Sequence, residues 1–139
     1  MTNTGTLRLS LAVLLSLFAV HAFGVKVYHV GNSHTDSLRW ALTALAKEAG
    51  HEDHEYSMSR ILGAPLRWIR DHDQQCGGEP WSKGLAPDRS WDVLTLQTYP
   101  GRMDEDEMSA ALMFAGMALE GNPRCQIVMY TIWPGGRDD

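Results

Sequence analysis

Val25, Val27, Tyr28 and Val30 form a β-branched and aromatic run that stops at Gly31–Asn32, and beyond it the period changes. Leu38, Ala41, Leu42, Leu45 and Ala49 then recur at three- and four-residue spacing. The first pattern predicts a buried strand and the second an amphipathic helix behind it, with Asp36 or Thr35 as cap and Gly50 as stop. Tyr56 to Ile61 alternates weakly, as an edge-like second strand would, and Pro65 suits the first turn of a short helix carrying Leu66, Trp68 and Ile69. Residues 71–89, with Gly77, Gly78, Pro80, Gly84 and Pro87, read as a long irregular excursion holding at most a short helix and anchored by Trp81 and Trp91. Trp91 to Thr98 is the clearest central strand. Acids from Asp104 to Glu107 favour the positive end of a following helix, whose apolar face is Met108, Ala111, Leu112, Ala115 and Leu119 and which ends at Gly121. Gln126 to Trp133 is the last strand, broken by Pro134–Gly135–Gly136. Strands alternating with helices predict a parallel sheet with right-handed crossovers in a three-layer α/β/α sandwich, with function at the carboxyl ends of the strands.

The 139 residues, 44% hydrophobic and 21% charged, suit one globular domain. Its start changes the picture. Arg8, the apolar run Leu9–Val20 and Val20–His21–Ala22 form a signal-peptide pattern over residues 1–22, which leaves a domain over 23–139 in a secreted or periplasmic protein. The run is short against the roughly 20 apolar residues of a membrane span, so no stable span is expected once the signal is removed. Net charge is −5 and becomes more negative with the loss of Arg8, while Lys and Arg are scattered among acids, which argues against a nucleic-acid partner. Cys76 and Cys125 are an even pair in an exported chain, compatible with a disulfide or with two buried thiols. His51 and His54 follow a glycine stop without a His-Glu-x-x-His pattern and read as a solvated loop. The methionines read as core filling, and no motif calls for a metal or a cofactor.

The remaining chemistry gathers at Ser33. It stands where the first strand turns into a helix, so free backbone N–H groups and the positive end of the helix dipole surround its hydroxyl. Gly31–Asn32–Ser33–His34–Thr35, directly after a strand near the mature N-terminus, resembles the first block of the SGNH (GDSL-type) hydrolases, with Asn32 where many members carry Asp. The resemblance implies a mostly parallel, flavodoxin-like sheet, a serine esterase activity and Ser33 as nucleophile. It also implies an oxyanion hole made of the Ser33 backbone N–H, the Gly63 N–H at the second strand-to-helix corner and the amide of Gln97. The family usually has asparagine at the last of these; glutamine donates the same kind of hydrogen bond with one more methylene of reach.

The general base is the missing part. An acyl-transfer serine needs a histidine held by a carboxylate, and the family's C-terminal Asp-x-x-His block is absent here, so the chain resembles the first four strands of that domain. His34 adjoins Ser33, but the helix turn directs it away from the hydroxyl. The expectation is therefore a hydrolase of small-molecule or carbohydrate esters, O-acetyl esters among them, in a truncated gene product or in a domain that has lost catalysis. The alternatives are an inactive module binding a carboxylate or an acetylated sugar, and a secreted α/β domain with no small-molecule site. N-terminal sequencing of exported protein should find a first residue near Phe23; a soluble cytoplasmic product that keeps Met1 would remove the export reading.

Overall fold

The computed structural model describes residues 24–99 and 104–131. The expected signal segment, residues 100–103 and the expected extension of the last strand beyond 131 lie outside them. The elements run β1 (Lys26–Gly31), a 3-10 turn (Ser33–Thr35), α1 (Asp36–Glu48), β2 (Glu55–Arg60), α2 (Leu66–Asp71), a second 3-10 turn (Asp73–Gln75), β3 (Gly77–Gly78), α3 (Trp81–Gly84), β4 (Val93–Gln97), α4 (Glu105–Gly121) and β5 (Gln126–Tyr130). The five strands form one sheet in the order β3-β2-β1-β4-β5. All pairings are parallel except β2 with β3.

This α/β architecture with a mostly parallel sheet agrees with the alternation in the sequence, with two corrections. Gly77–Gly78 in the irregular excursion pairs antiparallel with Ser59 and Arg60, so β2 is an interior strand and not an edge. A side chain at Gly78 would also overlap the Met58 carbonyl, and the dipeptide carries no side chain to announce a strand.

Alternation along the strands divides the sheet into two unlike faces. Tyr28, Val30, Leu94 and Leu96 meet Leu66 and Ile69 of α2, Leu85, Trp91, and Ala110, Ala111, Phe114 and Ala118 of α4 in one core. The Tyr28 and Trp91 rings lie 5.1 Å apart, and the Trp91 indole donates to the Gly84 carbonyl at 2.6 Å. A side chain at Gly84 would collide with the Tyr28 ring. The face that α4 buries is turned from the one its sequence suggests: Met108, Leu112 and Leu119 are exposed, while Glu107, Ala110, Ala111, Phe114 and Ala118 are inside. Alanines set around Phe114 let the helix backbone approach closely, and the ring fills the space that the expected leucines would have taken.

The other face mixes Val27, Met58 and Val93 with polar residues. His29 is buried there, with Nε2 3.2 Å from the Tyr130 hydroxyl and Nδ1 hydrogen-bonded to the Thr95 hydroxyl. The Tyr56 ring centroid is 6.1 Å away. Helix α1 lies against β2 and leaves most of its own apolar stripe uncovered: Trp40 is 73% and Leu45 61% exposed, and Ala41 and Ala49 are exposed as well. Strand β5 is also largely exposed. Among the described residues no helix is long and apolar enough to cross a membrane.

Of the two alternatives for the cysteine pair, the structure has the free thiols, Cys76 half-buried and Cys125 buried. Cys76 precedes β3, level with the carboxyl end of β2, whereas Cys125 precedes β5, level with the amino end of β4. Four strand spacings of roughly 4.8 Å separate these edges, against a Cα separation of about 4.4–6.8 Å in a disulfide. Burial pushes both thiols above their ordinary pKa.

Burial pushes the His29 pKa down to about 4 from an ordinary 6.5. Above pH 6.5 both folded and unfolded chains hold a neutral imidazole; below it the unfolded chain gains a proton that the folded chain refuses, so stability falls as pH drops towards 4. The loss should approach about 3 kcal/mol at pH 4, measurable as a fall in urea midpoint, with the His29 ring proton signals unshifted until about pH 4.

Candidate active site

The site residues hang from one buried amide. Asn32 follows the last residue of β1 and is sealed from solvent. Its Oδ1 accepts from the His34 N–H at 3.2 Å and so caps the 3-10 turn that begins with Ser33. Its carbonyl accepts from the Thr35 N–H at 3.0 Å and from the Thr35 hydroxyl at 2.7 Å. Asn32 thus caps the 3-10 turn that leads into α1, while the N-cap position of α1 itself falls on Thr35, one of the two residues the pattern offered. Thr35, at the N-cap of α1, makes no side-chain cap bond, and Asp36 receives Arg60 Nη1 at 2.7 Å.

The same residue reaches sideways to both neighbouring strands. Asn32 Nδ2 donates to the Ala64 carbonyl at 3.3 Å, in the loop after β2, and its backbone N–H donates to Gln97 Oε1 at 3.2 Å, at the end of β4. Ser33, Gly63 and Gln97 therefore stand at the carboxyl ends of three adjacent strands, each within one residue of an atom bonded to Asn32 or bonded to it directly. Gly31 is required by this arrangement. A Cβ there would lie 2.5 Å from Thr35 Cγ2 and 2.8 Å from Gln97 Cβ, so only hydrogen fits where Gln97 crosses β1.

Ser33 itself is exposed. Gly63 is the third residue of a turn closed by the Ala64 N–H on the Ile61 carbonyl at 3.1 Å, and its φ of +69° is the left-handed conformation that glycine adopts without strain. Gln97 is buried, with Oε1 committed to Asn32 and Nε2 without a partner. Among the described residues the Ser33 and Gly63 backbone N–H groups also meet no acceptor. Three donors are thus uncommitted at one rim. A buried amide nitrogen left unpaired costs about 1–3 kcal/mol.

The histidines are distributed unevenly. His29 is locked between Thr95 and Tyr130, and His72 stacks on Trp68 with centroids 4.0 Å apart while its Nδ1 meets the Trp68 carbonyl. His51 and His54 flank a turn before β2, at the opposite end of the sheet from Ser33. His34 is the histidine at the same corner, with its backbone N–H on Asn32. Among the described residues no side chain is hydrogen-bonded to the Ser33 hydroxyl, and no group of three or more His, Cys, Asp or Glu side chains is placed to hold a metal ion.

Sequence reasoning missed Glu107, which is buried at this rim and accepts backbone N–H groups from Leu66, Arg67 and Tyr99. The signal was present as Asp104-x-x-Glu107, a capping-box spacing. A shallow depression of about 410 Å³ lined by Asp104, Glu105, Met108, Ser109 and Leu112 contains none of Ser33, Gly63 or Gln97. Comparison with protein-family models, with curated proteins and with solved structures finds no match for this chain.

The Asn32 amide also accounts for the residue's identity, because an aspartate there would set a carboxylate oxygen against the Ala64 carbonyl. Asn32→Asp should cost about 1–3 kcal/mol of stability in urea unfolding at neutral pH, and recover part of it in acid where the carboxyl is protonated.

Proposed function

We propose that this rim is the site of an SGNH-type serine hydrolase acting on ester bonds, carbohydrate O-acetyl esters among them, in an exported protein. The observation that supports the reading is that Ser33 N–H, Gly63 N–H and Gln97 Nε2, without an acceptor among the described residues, belong to the three strand ends that Asn32 joins. In the proposed reaction Ser33 Oγ attacks the ester carbonyl and loses its proton to a base, the carbonyl oxygen becomes an anion held by these donors, and collapse of the tetrahedral intermediate releases the alcohol. Water then cleaves the acyl-serine and regenerates the hydroxyl. Export rests on the Arg8 and Leu9–Val20 pattern in the sequence.

A second reading, a non-catalytic module that holds a carboxylate or an acetyl group on the same donors, is favoured by the Ser33 hydroxyl, to which no side chain among the described residues is hydrogen-bonded. A positioned base contributes about 10²–10⁴-fold, so the 139-residue chain should hydrolyse an activated aryl acetate only slowly above buffer, and Ser33→Ala should abolish that excess. Rapid turnover lost in a His34→Ala variant would identify His34 as the base. No Ser33-dependent hydrolysis, together with acetate-induced NMR shifts at the Ser33 and Gly63 amides, would replace the hydrolase with the binding module.

A further inference from the structure

Glu107 is the fourth residue of an N-terminal capping pattern that it only half completes. Asp104 caps α4 by accepting from the Glu107 N–H at 2.9 Å. In a complete capping box the glutamate carboxylate returns to the backbone N–H of the capping residue. Here it accepts instead from three backbone N–H groups of other elements: Leu66 at 2.9 Å and Arg67 at 3.1 Å, which open α2, and Tyr99 at 3.4 Å, two residues beyond β4. The side chain is 0% exposed.

A buried carboxylate is costly unless its oxygens are satisfied by donors, and these donors come from two separate loops. One loop runs from β2 through Gly63 to α2; the other leaves β4 at Gln97. They lie on opposite sides of β1, because β2 and β4 are its two neighbours in the sheet. Asn32 joins the same two loops from the β1 side, so the rim is closed as a ring: Asn32 to Ala64, the chain from Ala64 to Leu66, Leu66 to Glu107, Glu107 to Tyr99, the chain back to Gln97, and Gln97 to Asn32. The ion pair of Arg67 with Asp104, at 2.6 Å, braces it from outside.

We propose that Glu107 is the positioning residue of this site: its carboxylate fixes the separation between the loop that carries Gly63 and the strand end that carries Gln97, and with it the geometry of the donors around Ser33. The inference rests on the hydrolase reading for its functional half, while the fastening of the two loops stands on the hydrogen bonds alone. Leu66 and Tyr99 share Oε1 while Arg67 takes Oε2, so glutamine at 107 keeps the volume but, with one acceptor oxygen, gives up either Arg67 or the Leu66 and Tyr99 pair and turns an NH₂ towards the N–H it gives up.

The test compares Glu107→Gln with Phe114→Leu, a change in the same helix that removes core contacts and leaves the carboxylate in place, in the full chain and well below either midpoint. Amide hydrogen exchange is read at Leu66, Arg67 and Tyr99 relative to Val30 in β1, and Ser33 modification by a fluorophosphonate probe is followed by mass spectrometry. Expected in Glu107→Gln are exchange at Arg67, or at Leu66 and Tyr99 together, at least about ten-fold faster relative to Val30, and Ser33 labelling about ten-fold slower that still ends at one label per chain. Phe114→Leu should change neither ratio. If Glu107→Gln does not fold, the wild-type chain still decides: a common protection of the three amides supports the fastening and unrelated exchange overturns it. Loop amides that follow Val30 in Glu107→Gln, or an unchanged labelling rate, would overturn the positioning role. A wild-type chain that takes no label at Ser33 overturns the hydrolase reading, and the exchange ratios then decide the fastening by themselves.

Discussion

A side chain sealed from water has to find a partner for each polar atom it carries, and Asn32 meets that requirement by joining three strands at their carboxyl ends. Its amide, carbonyl and N–H together engage Ala64, His34, Thr35 and Gln97. The bonds are ordinary in length; what distinguishes them is that none can be lost to water without leaving a buried group unpaired. Gly31 follows from the same constraint, since Gln97 reaches the Asn32 N–H only by lying where a Cβ would stand. The corner that presents Ser33 is therefore stiff because of what lies beneath it, and the exposed serine contributes none of that stiffness.

The sheet has two faces with different physics. One is a hydrophobic core in which Trp91, Tyr28 and Phe114 are the largest fully buried side chains, with the Tyr28, Trp91 and half-buried Trp81 polar atoms each directed to a backbone carbonyl: Tyr28 to Glu79, Trp91 to Gly84 and Trp81 to Ile69. The other carries His29, Thr95, Gln97 and Tyr130 in a polar layer, with burial pushing the Tyr130 hydroxyl up to about 12. A neutral imidazole has one donor and one acceptor, which two hydroxyls can satisfy in either tautomer. That is why a histidine can occupy a central strand here without an acidic partner. The candidate site lies where the two faces meet the carboxyl rim, so its loops are held from the core side by Glu107 and from the polar side by Asn32 and Gln97.

Preorganisation of this kind is what oxyanion stabilisation requires, because donors fixed before the reaction need no rearrangement as charge develops. The proposed site has its donors fixed and its nucleophile exposed, and the Ser33 hydroxyl carries no hydrogen bond from a described side chain. The balance between hydrolysis and simple binding at such a rim turns on one proton acceptor, which is why the two proposed readings share every residue but the base.

Much of the fold was legible in the chain because periodicity is local: the runs at Val25–Val30 and Trp91–Thr98 and the alternation of strands with helices predicted the parallel α/β sheet, and the strand-to-helix corners located Ser33, Gly63 and Gln97. Three things were not legible. The strand at Gly77–Gly78 has no side chains and exists only through pairing with β2. The buried face of α4 was misassigned because Phe114 and small alanines, not the larger Met108 and Leu112, fit against α2 and the sheet. Asn32 looked like a turn residue and Glu107 like one of several acids in a first helical turn, and nothing local marks a side chain whose hydrogen-bond partners lie 32 to 65 residues away. Sequence by itself determined which segments were strands and helices and which residues stood at their carboxyl ends. Tertiary structure alone decided which polar groups were buried, and burial, by making an unpaired polar group costly, set which loops are joined around Ser33.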